Sequence, residues 1–116
     1  MIHERIINGV KFTLVCETWQ TKTSWGHEVT LYKNNVFKVG HVKVRYYNRT
    51  WEKYIYQSAI KSVIFNAIQE IKAAAKVVFK ALHNYKVMTK KRAAEFVEYI
   101  TKDPAYNMYN ELFKMF

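Results

Sequence analysis

Polar and apolar residues alternate along the first fifty positions and then recur at helical spacing, with the change falling near residue 50. Over residues 9–19, Val10, Phe12, Leu14 and Cys16 share one phase, and Lys11, Thr13, Val15 and Glu17 share the other. That period of two predicts a half-buried strand. A polar bend from Gln20 to Ser24 leads to a second strand over 25–33, with Val29 and Leu31 inward and Glu28, Thr30 and Tyr32 outward. Lys33-Asn34-Asn35 reads as a hairpin turn, because asparagine tolerates positive φ. In the third strand, 36–47, Phe37 and Val39 are one residue out of phase with Val42, Val44 and Tyr46. A β-bulge at Gly40 restores both sets to one face.

From residue 51 to 86 the period becomes 3.6. Measured from Ile60, the side chains of Val63, Ile64, Ala67, Ile68, Ile71, Ala74, Ala75, Val78, Ala81, Leu82 and Tyr85 fall in one arc, as an amphipathic helix requires. Thr50 is a suitable N-cap and Glu52 a suitable first-turn acid, and the helix should fray near His83-Asn84. Thr89 caps a second helix over 90–101 with Phe96, Val97 and Ile100 inward. Asp103-Pro104 starts a third that runs to 115 with Met108, Leu112 and Met115 apolar. The expected fold is therefore α+β: a three-stranded antiparallel meander, a long amphipathic helix and two short C-terminal helices (βββααα), in one domain with sheet 1–50, long helix 51–86 and short helices 89–116.

Composition narrows the class. The chain has 116 residues, of which half are hydrophobic, with 3 Gly and 1 Pro; this excludes disordered and collagen-like chains and supports a single core. One cysteine excludes an internal disulfide and, alone, a zinc site. The opening residues carry no signal-peptide pattern, and Lys61, Lys72, Lys76 and Lys80 interrupt the long helix against a membrane span. A reducing cytoplasm, the host's if the protein is viral, is the expected compartment.

Enzymatic signatures are sparse. The sole aspartate, Asp103, is explained as a cap. His27-Glu28 lacks the second histidine of a zinc-protease helix, and Cys16 sits in the apolar phase as a buried small hydrophobe. The three glycines are too scattered for a phosphate loop. A metal-dependent nuclease on Glu17, Glu28 and His41 is the weak enzymatic alternative; the expectation is no enzyme, no catalytic residue, no metal and no cofactor.

Charge points elsewhere. The net value of +10 gives a surface potential that attracts polyanions. Residues 1–50 carry a net +5, 51–88 +4 and 89–116 only +1. The densest feature runs from Arg45 to Tyr56, with five aromatics and three cations in twelve residues. Cations suit phosphates and π-faces suit bases, although tyrosines and tryptophans also serve as corner residues. Lys43, Arg45 and Tyr47 form a basic outward row that Lys11, Thr13, Thr30 and Tyr32 extend into a platform, while Lys72, Lys76 and Lys80 stripe the helix. The candidate site is therefore Lys43, Arg45, Tyr47, Arg49, Trp51, Lys53, Lys72, Lys76 and Lys80. Its expected partner is DNA, RNA or a host nucleoprotein complex. Lys90-Lys91-Arg92 is a weaker basic run. The terminal Tyr106, Met108, Tyr109, Phe113, Met115 and Phe116 either seal the core or form a homodimer or partner surface.

The stretch Asn48-Arg49-Thr50-Trp51-Glu52-Lys53-Tyr54, followed by Gln57-Ser58 and an apolar helix, resembles a segment of small uncharacterised proteins from bacteriophages and other mobile elements, over residues 36–65. The resemblance implies no catalytic residue and no settled activity. It implies a context in which small proteins modify, shield or inhibit host machinery, including restriction and CRISPR systems. Many such inhibitors are acidic DNA mimics, from which +10 departs. The leading expectation is a non-enzymatic basic accessory protein that binds nucleic acid, and the alternative is an anti-CRISPR or anti-restriction inhibitor acting by protein contact.

Overall fold

The computed structural model describes residues 1–46 and 52–116. Four strands, β1 (Ile2–Ile7), β2 (Val10–Gln20), β3 (Trp25–Lys33) and β4 (Phe37–Tyr46), precede three helices, α1 (Glu52–His83), α2 (Lys90–Thr101) and α3 (Pro104–Lys114). The α+β class is as expected, but the sheet has four strands in the order β1-β2-β3-β4 rather than three. The additional strand, β1, is an edge strand whose polarity runs against the simple pattern. Its cross-strand partners place His3 and Arg5 on the face that bears Leu14 and Phe12, while Ile2 and Ile6 stand exposed on the other face. His3 is accommodated by Tyr56, whose hydroxyl lies 2.8 Å from its Nε2, and Arg5 lies 4.8 Å over the Phe116 ring. The hairpin to β2 closes through Asn8 and Gly9, both with positive φ (51° and 79°), as a two-residue primed turn demands.

The other connections follow the expected chemistry. Thr21 and Ser24 close the β2–β3 turn on each other, Ser24 N donating to Thr21 Oγ1 at 3.1 Å. Asn34 and Asn35 take positive φ between β3 and β4, and Asn34 Oδ1 accepts from Lys11 N at 3.1 Å. The β3–β4 register slips between Leu31, opposite Gly40, and Tyr32, opposite Lys38. Val39 is therefore the extra residue of a bulge, and it packs on the core together with Val42 and Val44.

One sheet face is covered by α1 and α3. Phe12, Leu14, Cys16, Val29 and Leu31 meet Ala59, Ile60, Val63, Ile64, Ala67 and Ile68 from α1, and Met108, Tyr109 and Leu112 from α3. Cys16 is free and buried, and burial pushes its thiol pKa up. Tyr106, Phe113 and Phe116 pack against the same core, so the terminal aromatics seal it, except that Met115 is exposed. Thr89 and Asp103 cap α2 and α3 as expected, accepting from Arg92 N and Ala105 N respectively.

Two expected inward sets are corrected. A helix of 32 residues is about 48 Å long, whereas the longest strand, of 11 residues, spans about 36 Å. The last turns of α1 therefore leave the sheet behind. Beyond Ile71, Ala74, Val78, Ala81 and Leu82 are exposed, and the helix instead buries Phe79 against Tyr85, Phe96 and Tyr99. In α2, Ile100 is buried but Val97 is exposed, because only one side of this short helix meets α1. The long helix ends at His83, three residues before the expected boundary, where Asn84 adopts φ 50°. Its expected cap, Thr50, lies outside the described residues.

Candidate nucleic-acid interface

The sheet face not covered by helices carries the outward phases of all four strands. Across it, Glu17 faces Glu28 and Glu28 faces Lys43; in the next row outward, Trp19 faces Gly26 and Gly26 faces Arg45. Side chains opposite one another in a ladder share a face, so Trp19, Lys43 and Arg45 gather at one corner. The indole lies down across β3. A Cβ built on Gly26 would stand 2.8 Å from Trp19 Cζ2 and 1.8 Å from the Val44 carbonyl oxygen. Only glycine leaves the ring room to lie flat there. Lys43 Nζ is 4.9 Å and the Arg45 guanidinium carbon 5.5 Å from the indole centroid.

Two cations therefore lie over one aromatic ring. Cation–π attraction favours tryptophan over the other rings and contributes about 0.5–1 kcal/mol per exposed pair. Its larger effect here is to restrict two flexible side chains to one place, so that less rotamer freedom remains to be lost when an anion binds. Both Lys43 and Arg45 remain exposed, and neither is salt-bridged to a carboxylate among the described residues.

The remainder of the face does not form the expected broad platform. Thr13 is buried and donates to Asn35 Oδ1 at 3.0 Å. Lys11 is paired with Glu4 at 3.1 Å, and His41 with Glu28. Glu17 and Glu28 stand mid-sheet and repel phosphate. Basic potential is thus confined to the β4 side, at Lys38, Lys43 and Arg45.

Of the expected residues, Lys53 is exposed in the first turn of α1. Tyr47, Arg49 and Trp51 lie outside the described residues. Lys72, half-buried, and Lys76 and Lys80, exposed, lie in the later half of α1. At 1.5 Å per residue, Lys53 and Lys76 stand about 35 Å apart along the helix, so Lys53 and the lysine row are separate areas. Arg92 is occupied structurally, by Glu95 at 2.7 Å and by His83 Nδ1 at 3.1 Å. Trp19 is absent from the expected set. Its outward phase is visible in β2, but its partnership with Gly26 and Arg45 needs the register.

For the nuclease alternative, Glu28 and His41 do meet, but among the described residues no group of three histidine, cysteine or acidic side chains is arranged to hold a metal ion. Nor is any described helix long and apolar enough to cross a membrane. Compared with protein-family models, curated proteins and solved structures, the chain matches none.

Proposed function

We propose that the protein is a non-enzymatic nucleic-acid-binding module whose anchor is the sheet corner formed by Trp19, Lys43 and Arg45. The observation that supports this reading is the pair of cations over one indole ring, neither salt-bridged to a carboxylate among the described residues, in a chain of net charge +10. Phosphates of a DNA or RNA strand take the place of solvent around the two cations, and counterion release drives binding. Tyr47, Arg49, Trp51 and Lys53 follow Arg45 in sequence and add two cations and two aromatic rings to the candidate set. Lys72, Lys76 and Lys80 form a second phosphate-contacting area, engaged only by a polymer long enough to span the distance from Lys53. Contacts of cations with phosphates carry no sequence information, so no sequence specificity is proposed.

The test is fluorescence anisotropy with labelled single-stranded and duplex oligonucleotides of about 20 residues. The reading expects an affinity that falls by orders of magnitude between about 50 and 200 mM salt, and that drops when Lys43 and Arg45 are both replaced by glutamine. No binding at 50 mM salt, or binding indifferent to this double substitution, overturns it.

A further inference from the structure

Where α1 runs beside α3, two large rings stand outside the core: Tyr54 is 67% and Phe65 49% exposed. They are separated by about 16 Å along the helix axis and by only about 20° around it. Between them lie Ser58, Lys61 and Ser62, and Phe113 of α3 stands opposite. Together these side chains line a cleft of about 470 Å³, within the range of small-ligand sites. Gln57 also lines it but is engaged, its Nε2 donating to Phe116 O at 3.0 Å.

The polar groups between the two rings can all donate. Lys61 Nζ lies 5.4 Å from the Phe113 ring centroid, and it is not salt-bridged to a carboxylate among the described residues. Ser58 and Ser62 flank it, one turn apart. A serine inside a helix commonly returns its hydroxyl to a carbonyl one turn back. Neither does so here, and neither hydroxyl has another partner among the described residues. No carboxylate lines the cleft. A lysine and two hydroxyls in such a place suit an anion, and the rings on either side suit flat apolar groups.

The order along the cleft is ring, donors, ring, which matches a phosphate joining two nucleosides. We infer that this cleft binds single-stranded nucleic acid, with the linking phosphate on Ser58, Lys61 and Ser62 and the neighbouring bases stacked on Tyr54 and Phe65. A duplex hides its base faces within its own stack, so the cleft admits only a single strand. Stacking accepts every base, so the site discriminates strandedness and not sequence. The inference rests on the proposed function and names the form of nucleic acid bound. Its place is separate from the Trp19 corner, which lies on the sheet face that α1 leaves uncovered.

An NMR titration of the full chain with the single-stranded tetranucleotide of deoxyadenylate, at about 50 mM salt, tests it. The expected result is saturable shifts at Ser58, Lys61, Ser62 and Phe65. An abasic tetranucleotide of equal charge should bind about tenfold more weakly, because stacking is lost. Lys61→Met keeps the apolar stem beside Phe113 and removes the charge, and Phe65→Ala alters an exposed position. Each should weaken binding about tenfold without lowering the melting temperature. Shifts confined to Trp19, Gly26 and Arg45 overturn the inference and leave the proposed function standing; shifts confined to the cleft support the inference and remove the corner as anchor. Equal binding of the abasic strand overturns the inference, as does adenosine 5′-monophosphate binding as tightly as the tetranucleotide, which marks a site for a lone aromatic anion.

Discussion

The Trp19 indole lies across Gly26 with no space for a methyl group between the two strands, and the cations of β4 rest on the ring so held. A residue without a side chain thus sets the position of two that carry charge. Gly26→Ala must displace the Val44 carbonyl as well as the indole. We expect it to destabilise the fold by about 2–4 kcal/mol, at the upper end of ordinary substitutions, measured by urea unfolding. Unchanged stability would show that the sheet corner yields more easily than its geometry implies.

Lys43 and Arg45 can be separated from the fold because both are exposed. The double substitution to glutamine should change the stability measured in urea by no more than about 0.5 kcal/mol. It should also reduce the slope of log affinity against log salt by about 1.5, since each cation removed leaves one phosphate unneutralised. Trp19→Leu retains both cations but frees them, so it should weaken binding with little change in that slope. Anisotropy titrations at four salt concentrations distinguish the two effects.

Two histidines on the sheet, His27 buried and His3 half-buried, make stability depend on pH. Burial lowers the pKa of His27 and, with Arg5 beside it, that of His3. The unfolded chain takes up those protons near pH 6.5, whereas the folded protein resists them. Their stabilising contribution is therefore complete above about pH 6.5 and is lost as pH falls through the lowered folded values. The melting temperature should fall between pH 7.5 and 5.5, and His27→Gln should flatten that dependence. An equally steep profile in the variant would locate the effect elsewhere.

Phe79 is the one α1 side chain beyond Ile68 that is buried among the described residues, and it is 2% exposed. Phe79→Ala should cost about 3–5 kcal/mol locally. Because its neighbours are the α2 rings and Tyr85 rather than the sheet, hydrogen exchange should show α2 losing protection while β2 and β3 keep theirs. Equal loss in sheet and helix would mean that the two clusters unfold as one.

Much of this architecture is legible in residue order, and the failures have physical causes. Asparagines 34 and 35, the bulge expected at Gly40 and found one residue earlier at Val39, and the Thr89 and Asp103 caps act through local backbone chemistry, which sequence reports directly. Strand β1 is hidden because His3 and Arg5 occupy inward positions normally held by apolar residues, and they are stabilised there by Tyr56 and Phe116, more than fifty residues away. The Asn8-Gly9 dipeptide is the local signal that could reveal it. The apolar arc of α1 is correct as periodicity, but periodicity does not report where the opposing sheet ends. Val78 and Leu82 are therefore on the right face and yet uncovered. In the candidate site, Lys43 and Arg45 are visible as a basic row, whereas Trp19 joins them only through pairing across two strands.

Each strand pairs only with its neighbours in sequence, so the sheet closes through short hairpins. The long closure is that of α3 onto β1, where Phe116 meets Arg5 and His3. Bringing together segments more than a hundred residues apart costs loop-closure entropy, so we expect this contact to form late: Phe116→Ala should raise the unfolding rate and leave the folding rate unchanged in stopped-flow measurements. Interactions formed after the barrier slow unfolding without accelerating folding. On that expectation the Phe116 contact with Arg5 and His3 is a latch, which sets how long the protein stays closed and leaves the speed of assembly to the hairpins.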